Sequence, residues 1–214
     1  MVGDLGLAVG ACQACTLYQN LDPRAGKKHL PVFGEGPVPA VIMVVGEAPG
    51  ADEADSGRPL VGASGKRFDM LVKQAGLRRE DLFLTNLLKH RPPKNRSPHV
   101  KEIKACSHFL EEQLLAVQPQ VVVTLGRFAA QYFDKSIQLV KDHGMAKLLE
   151  GRPFRLVSMY HPAAALYDPN LWAVEVADWS KLKETISGET LAAQDIPTNY
   201  QLATDQQAAA LASS

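Results

Sequence analysis

The chain has 214 residues and a formal net charge of zero, with 46% hydrophobic and 21% charged residues. That composition excludes wholesale disorder, and no apolar run approaches the roughly 18 residues a membrane span needs. The zero hides an asymmetry: all 23 basic residues precede Gly188, while Glu189, Asp195 and Asp205 follow it.

Residues 1–38 hold the pair Cys12-Gln-Ala-Cys15, then Pro23, Gly26, Pro31, Gly34, Gly36 and Pro37, and read as mostly loop. The first basic residue is Arg24, so no positive region precedes the opening apolar stretch and a secretory signal is not expected. A cytoplasmic, reducing setting is the expectation. There, three cysteines point to a metal site or a redox pair rather than disulfides.

Ala40-Val-Ile-Met-Val-Val-Gly46 is a short apolar run ending in glycine, the pattern of a strand buried on both faces. Similar runs follow at Leu82–Thr85, Val121–Gly126 and Leu156–Met159. Helical periodicity fills the gaps at Lys66–Ala75, Val100–Val117, Arg127–Phe133 and Trp172–Ile186. Alternating strands and helices predict an α/β sandwich with a mainly parallel sheet, one domain over residues 1–187. Residues 188–214, polar and without basic charge, are expected to be a disordered tail. Sites in such sheets lie beyond the carboxyl ends of the strands.

Four segments occupy those ends or flank them. After the first strand come Gly46-Glu-Ala-Pro-Gly50 and Gly57-Arg-Pro-Leu-Val-Gly62, neither a dinucleotide loop nor a Walker loop. Their glycines let backbone N–H groups approach a ligand. Ser64 is expected to cap a helix beginning near Gly65, leaving an N-terminus fit for phosphate. After the second strand, Asn86 offers a carboxamide, one donor edge and one acceptor edge, beside Lys89-His90-Arg-Pro-Pro93. After the fourth comes Tyr160-His161-Pro162. The bland readings are a mobile turn, a turn-capping Asn and a structural His.

The stretch Lys89–Lys104 sets Lys89, Arg91, Lys94, Arg96, Lys101 and Lys104 against Glu102 alone, which suits nucleic acid or a solvated surface. A four-ligand metal site would add Cys106 and a histidine to Cys12 and Cys15. His90 is the natural choice, with His99 and His108 as rivals. Thiolates suit zinc or an iron–sulfur cluster, here in a stapling role.

Taken in order and at these spacings, the segments resemble the family 4 uracil-DNA glycosylases, the iron–sulfur branch of the uracil-DNA glycosylase superfamily, from about Cys12 to Ile186. The resemblance implies a three-layer α/β/α sandwich around a four-stranded parallel sheet. It implies a monofunctional, monomeric enzyme that hydrolyses the N-glycosidic bond of uracil in DNA and starts base-excision repair. It places catalysis on Glu47, Asn86 and His161. Gly46, Ala48 and Leu60 join them against the base, and a wedge falls at Leu166. It implies a [4Fe–4S] cluster on Cys12, Cys15, His90 and Cys106, with zinc as the alternative occupant. Gly62, Ser64, Gly65, Arg91, Lys94 and Arg96 are the expected contacts to the DNA backbone.

Three positions depart from the family pattern. His90 stands where cysteine is usual, and Leu60 replaces a phenylalanine that stacks on the flipped base, a role Phe33 could take instead. Ala54 stands where the first motif has aspartate. A related branch that traps its product covalently shares Lys-His but adds a basic insertion absent here, so no covalent adduct is expected. Two other readings remain open: a module that binds uracil or damaged DNA without cutting, and a zinc-stapled protein acting on another nucleotide.

Overall fold

Alternate residues of each central strand enter two different cores. The computed structural model describes residues 2–19, 26 and 28–187, so the proposed tail at 188–214 lies outside the described residues. Strand β1 (Ile42–Gly46) sends Ile42 and Val44 into one core and Met43 and Val45 into the other. Strands β2 (Leu82–Asn86) and β3 (Val121–Leu125) are likewise buried at every position. A period of two buried on both faces explains why these strands are continuous apolar runs.

Helices α3 (Ala63–Gln74) and α8 (Leu171–Ser187) cover one face, through Phe68, Leu71, Trp179 and Leu182. The Phe68 and Trp179 rings meet edge to face, 5.4 Å between centroids. Helices α4 (Val100–Val117) and α5 (Arg127–Phe133) cover the other, through Leu110, Leu114, Ala129 and Ala130. The result is the expected helix–sheet–helix layering.

The sheet corrects the four-stranded, all-parallel expectation. It has five strands in the order β2-β1-β3-β5-β4. The four foreseen strands are parallel, with β5 running Arg155–Met159. Strand β4 (Ala146–Leu148) adds an antiparallel edge against β5. All three of its residues are exposed, so it carries no hydrophobic alternation by which a sequence could announce it.

The opening segment is also more ordered than a loop. Helix α1 (Val2–Ala11) packs on α4 and buries Val9. Its glycines lower its intrinsic propensity, and tertiary packing supplies what propensity lacks. Short helices α2 (Ala51–Ser56), α6 (Leu139–Asp142) and α7 (Ala164–Tyr167) complete the described chain. Among the described residues no helix is long and apolar enough to cross a membrane.

From β1 the chain crosses to β2 on one side, then over β1 to β3 on the other. The carboxyl ends of β1 and β3 therefore flank the point where the winding reverses, the place where such sheets form a crevice.

Candidate active site

Glu47 follows the last residue of β1, Asn86 ends β2, Arg127 opens α5 just beyond β3, and His161 lies two residues past β5. Parallel strands put all four ends on one side of the sheet. Backbone bonds extend this order past the strands: Leu87 N–H donates to Gly46 C=O at 2.9 Å and Leu88 N–H to Glu47 C=O at 3.0 Å. These two bonds tie the Glu47 and Asn86 loops to each other.

Asn86 is 4% exposed and pairs with Gly46 in the strand register. Its carboxamide oxygen lies where a β-carbon on residue 46 would be, so only glycine leaves room for it. Burial pushes the Glu47 carboxyl up, and the Arg127 guanidinium partly offsets this. The sequence places Arg127 only at the start of a helix; its charge beside Glu47 comes from the Gly126 turn that opens α5 at the end of β3. Ala48 packs beside Phe33 against the small cluster around Leu88 and Cys106.

His161 accepts the Ala163 backbone N–H at Nδ1, 3.1 Å away. The neutral ring then carries its proton on Nε2. Burial pushes its pKa down, and the Glu53 carboxylate works weakly in the opposite direction. Glu53 itself accepts the Val61 and Gly62 N–H groups, both at 3.0 Å, which ties the Gly57–Gly62 loop to α2.

That loop is held tightly. Leu60 adopts a left-handed backbone, φ 52°, and its side chain is buried beside Ile42, Val44 and Phe68 in the core. Arg79 donates to the Pro59 and Leu60 carbonyls at 2.7 and 2.9 Å. Gly65 lies so close to the Leu60 carbonyl that any β-carbon would strike it. The capping expectation is corrected here: α3 begins at Ala63, Gly62 is its cap residue, and Ser64 sits inside the first turn without capping. Leu166 and Tyr167 end α7 and are 45% and 89% exposed.

The basic segment divides in two. Arg96 is committed to Glu102 in a two-pronged pair with one arm at 2.9 Å, and Glu102 also accepts the His99 N–H that starts α4. Arg91 bonds Asn95 at 2.8 Å and His29 at 3.1 Å. Lys94 is exposed.

The three cysteines share one apolar cluster with Val9, Leu17, Leu88 and Phe109. Lys89 N–H donates to Cys106 Sγ at 3.2 Å, and the Leu17 backbone bonds Cys15. Burial pushes the Cys106 thiol up to about 11, with the Cys15 and Cys12 sulfurs adding to the rise and Lys89 opposing it. His90 is buried, and burial together with Lys28 holds its pKa at about 4, so its ring is neutral at working pH, the form that ligates. His99, its rival, is exposed at the start of α4. Among the described residues no group of three His, Cys, Asp or Glu side chains is placed to hold a metal ion.

Lys89 was read only as part of a basic patch, yet it is fully buried. Burial brings its pKa down to about 7, with Cys106 acting the other way. Its motif position was visible in the sequence; its burial was not.

Asn86, Glu47 and His161 thus follow the carboxyl ends of parallel strands beside a glycine-rich loop, the side of such sheets where ligands bind. Similarity to known proteins gives the family. The profile of the "Uracil DNA glycosylase superfamily" matches residues 33–183. The chain is 40% identical over 188 residues to a type-4 uracil-DNA glycosylase of Archaeoglobus fulgidus, covering 85% of this chain and 91% of that one. It is 38% identical to the type-4 enzyme of Saccharolobus solfataricus, covering 86% and 85%. It is 35% identical to that of Thermotoga maritima, covering 85% and 92%. The chain belongs to the uracil-DNA glycosylase superfamily, among its type-4 members.

Proposed function

We infer that this protein is a uracil-DNA glycosylase that hydrolyses the N-glycosidic bond of uracil in DNA and so initiates base-excision repair. Similarity of 35–40% to type-4 enzymes over most of the chain carries the reaction class. The residue roles rest on the geometry of this chain.

The target base leaves the stack at a cost of a few kcal/mol and enters the crevice at the strand ends. Uracil presents O4 as acceptor and N3–H as donor. The Asn86 carboxamide matches both, whereas cytosine would leave two buried polar groups without partners. As the glycosidic bond stretches, negative charge gathers on uracil O2. His161, with Nδ1 occupied by Ala163 N–H, offers Nε2–H to that charge without carrying a net charge of its own. Backbone N–H groups of the Gly46–Gly50 loop lie on the same side. Glu47, its carboxyl raised by burial, is suited to orienting the attacking water.

Leu166, exposed at the end of α7, fills the gap left in the stack, as apolar wedges do. The first turn of α3 at Ser64 and Gly65, with Lys94 and the Arg91 segment, receives phosphates. Leu60, packed into the core, offers aliphatic contact rather than aromatic stacking.

The donor set of Cys12, Cys15, Cys106 and His90 suits an iron–sulfur cluster, with the three cysteines already sharing one apolar cluster. A [4Fe–4S] cluster takes one ligand at each iron and accepts backbone hydrogen bonds to sulfur of the kind Lys89 provides. The cluster would pin α1 and the CxxC turn to α4.

The test is excision from a uracil-containing oligonucleotide followed by alkaline cleavage, with Asn86→Ala and His161→Ala beside the wild type. Strand breakage by the wild type, lost in both variants, is the expected result. No breakage by metal-replete protein overturns the reading.

A further inference from the structure

Among the described residues Lys89 is the one lysine or arginine in the buried set, with no measurable exposure. Its ammonium has three protons and three acceptors. Nζ lies 2.7 Å from Thr85 Oγ1, 2.8 Å from the Asn86 carbonyl and 2.7 Å from Gln113 Oε1. The set is complete, since an ammonium can donate three bonds and accept none.

The acceptors belong to different parts of the molecule. Thr85 and Asn86 are the last two residues of β2, and Gln113 is on α4. Gln113 Nε2 donates in turn to the Phe33 carbonyl at 2.8 Å, and Thr85 Oγ1 lies 2.9 Å from the same oxygen. The backbone of Lys89 meanwhile donates to Cys106 Sγ. One residue thus joins the cysteine cluster, helix α4 and the peptide of Asn86.

The need for a donor at Asn86 follows from topology. Strand β2 is the outermost of the parallel strands, and β1 lies on one side of it only. On its open side, Glu35 pairs with Leu84 through bonds of 2.7 and 2.9 Å, and the ladder goes no further. The Asn86 carbonyl takes the Lys89 ammonium. A buried cation among neutral acceptors is a poor source of stability, because desolvation costs as much as the bonds return. Its retention at this point is better explained by what it holds.

We propose that Lys89 is the positioning residue for the base-reading Asn86, fixing its peptide plane so that the carboxamide stays over Gly46. The proposal rests on the role given to Asn86 above. Lys89 touches no reacting atom and acts through Asn86 alone.

The test is a double-mutant cycle on the full, cluster-loaded chain. Single-turnover excision of uracil from a single-stranded oligonucleotide is measured for wild type, Lys89→Met, Asn86→Ala and the double variant. Visible absorption and binding of an abasic-analogue oligonucleotide are read alongside. Lys89→Met should slow excision by about tenfold or more while DNA binding stays near wild type. In the Asn86→Ala background the same substitution should cost almost nothing, the signature of two residues acting as a unit. Thr85→Val, which removes one acceptor and keeps the shape, should show a smaller loss with the same disappearance, and it decides the matter if Lys89→Met does not fold. Losses that multiply, or a Lys89→Met rate within twofold of wild type, overturn the proposal. If Asn86→Ala itself excises at the wild-type rate, the base-reading role falls first and the Lys89 role with it.

Discussion

Gly46 and Asn86 stand opposite each other in the β1–β2 register, and the Asn86 carboxamide oxygen fills the space that a β-carbon on Gly46 would need. The glycine that closes the first strand thus leaves the space that the asparagine side chain occupies. Its backbone is extended and parallel, so space rather than backbone conformation requires glycine here.

Gly46→Ala should therefore behave as an active-site substitution. A methyl group would push Asn86 aside, and a displacement of about 1 Å at a catalytic group can cost about 10²-fold in rate. Excision should fall toward the level of Asn86→Ala while the chain stays folded, checked by single-turnover kinetics and thermal melting.

His161 is set up as a neutral donor, and burial pushes its pKa below the ordinary histidine value near 6.5. The neutral form therefore persists to lower pH than in a free histidine. The loss of rate that follows its protonation should come below that value. His161→Ala should lose about 10²–10³-fold, the usual effect of removing one donor to a developing oxyanion. A pH–rate profile with a break at the ordinary histidine value would contradict this.

Glu175 of α8 is buried, and burial pushes its carboxyl up to about 7 from an ordinary 4.5, with Arg67 opposing and Asp178 reinforcing the rise. Between those values the folded chain holds a proton that the unfolded chain has released. Stability must then fall as pH rises through that window. Glu175→Gln should melt a few degrees above wild type at pH 8 and converge with it at pH 5, measured by calorimetry.

The purified chain should be brown, with broad visible absorption, because a zinc protein would be colourless. Cys106→Ala and His90→Ala should bleach it, and His90→Cys should retain it, since cysteine is the ordinary fourth ligand of such clusters. Chelation should lower the melting temperature, because α1 and the CxxC turn are held to α4 at this point. Iron and sulfide analysis of each variant checks the assignment.

Much of the architecture was legible before folding was considered. Residues buried on both faces of a parallel strand must be apolar at every position, so β1, β2, β3 and β5 stand out, and α4 and α5 begin and end where their periodicity does. Strand β4 could not be read, because an exposed edge needs no hydrophobic pattern. Helix α1 was hidden by its glycines, and its stability comes from α4 rather than from its own residues.

The sequence by itself pointed to the reaction class and nominated the chemical groups proposed for it: Glu47, Asn86, His161, three cysteines and a histidine. The tertiary structure alone decided what each group is. It placed Lys89, to all appearance one more surface cation, at the centre of a dry hydrogen-bond network. It bound Arg96 to Glu102 and gave His161 its tautomer. The reason is physical: residue type sets which bonds a side chain is able to make, whereas burial and partners set its charge, its orientation and its reach. Those come from segments far apart in the chain, which only folding brings together.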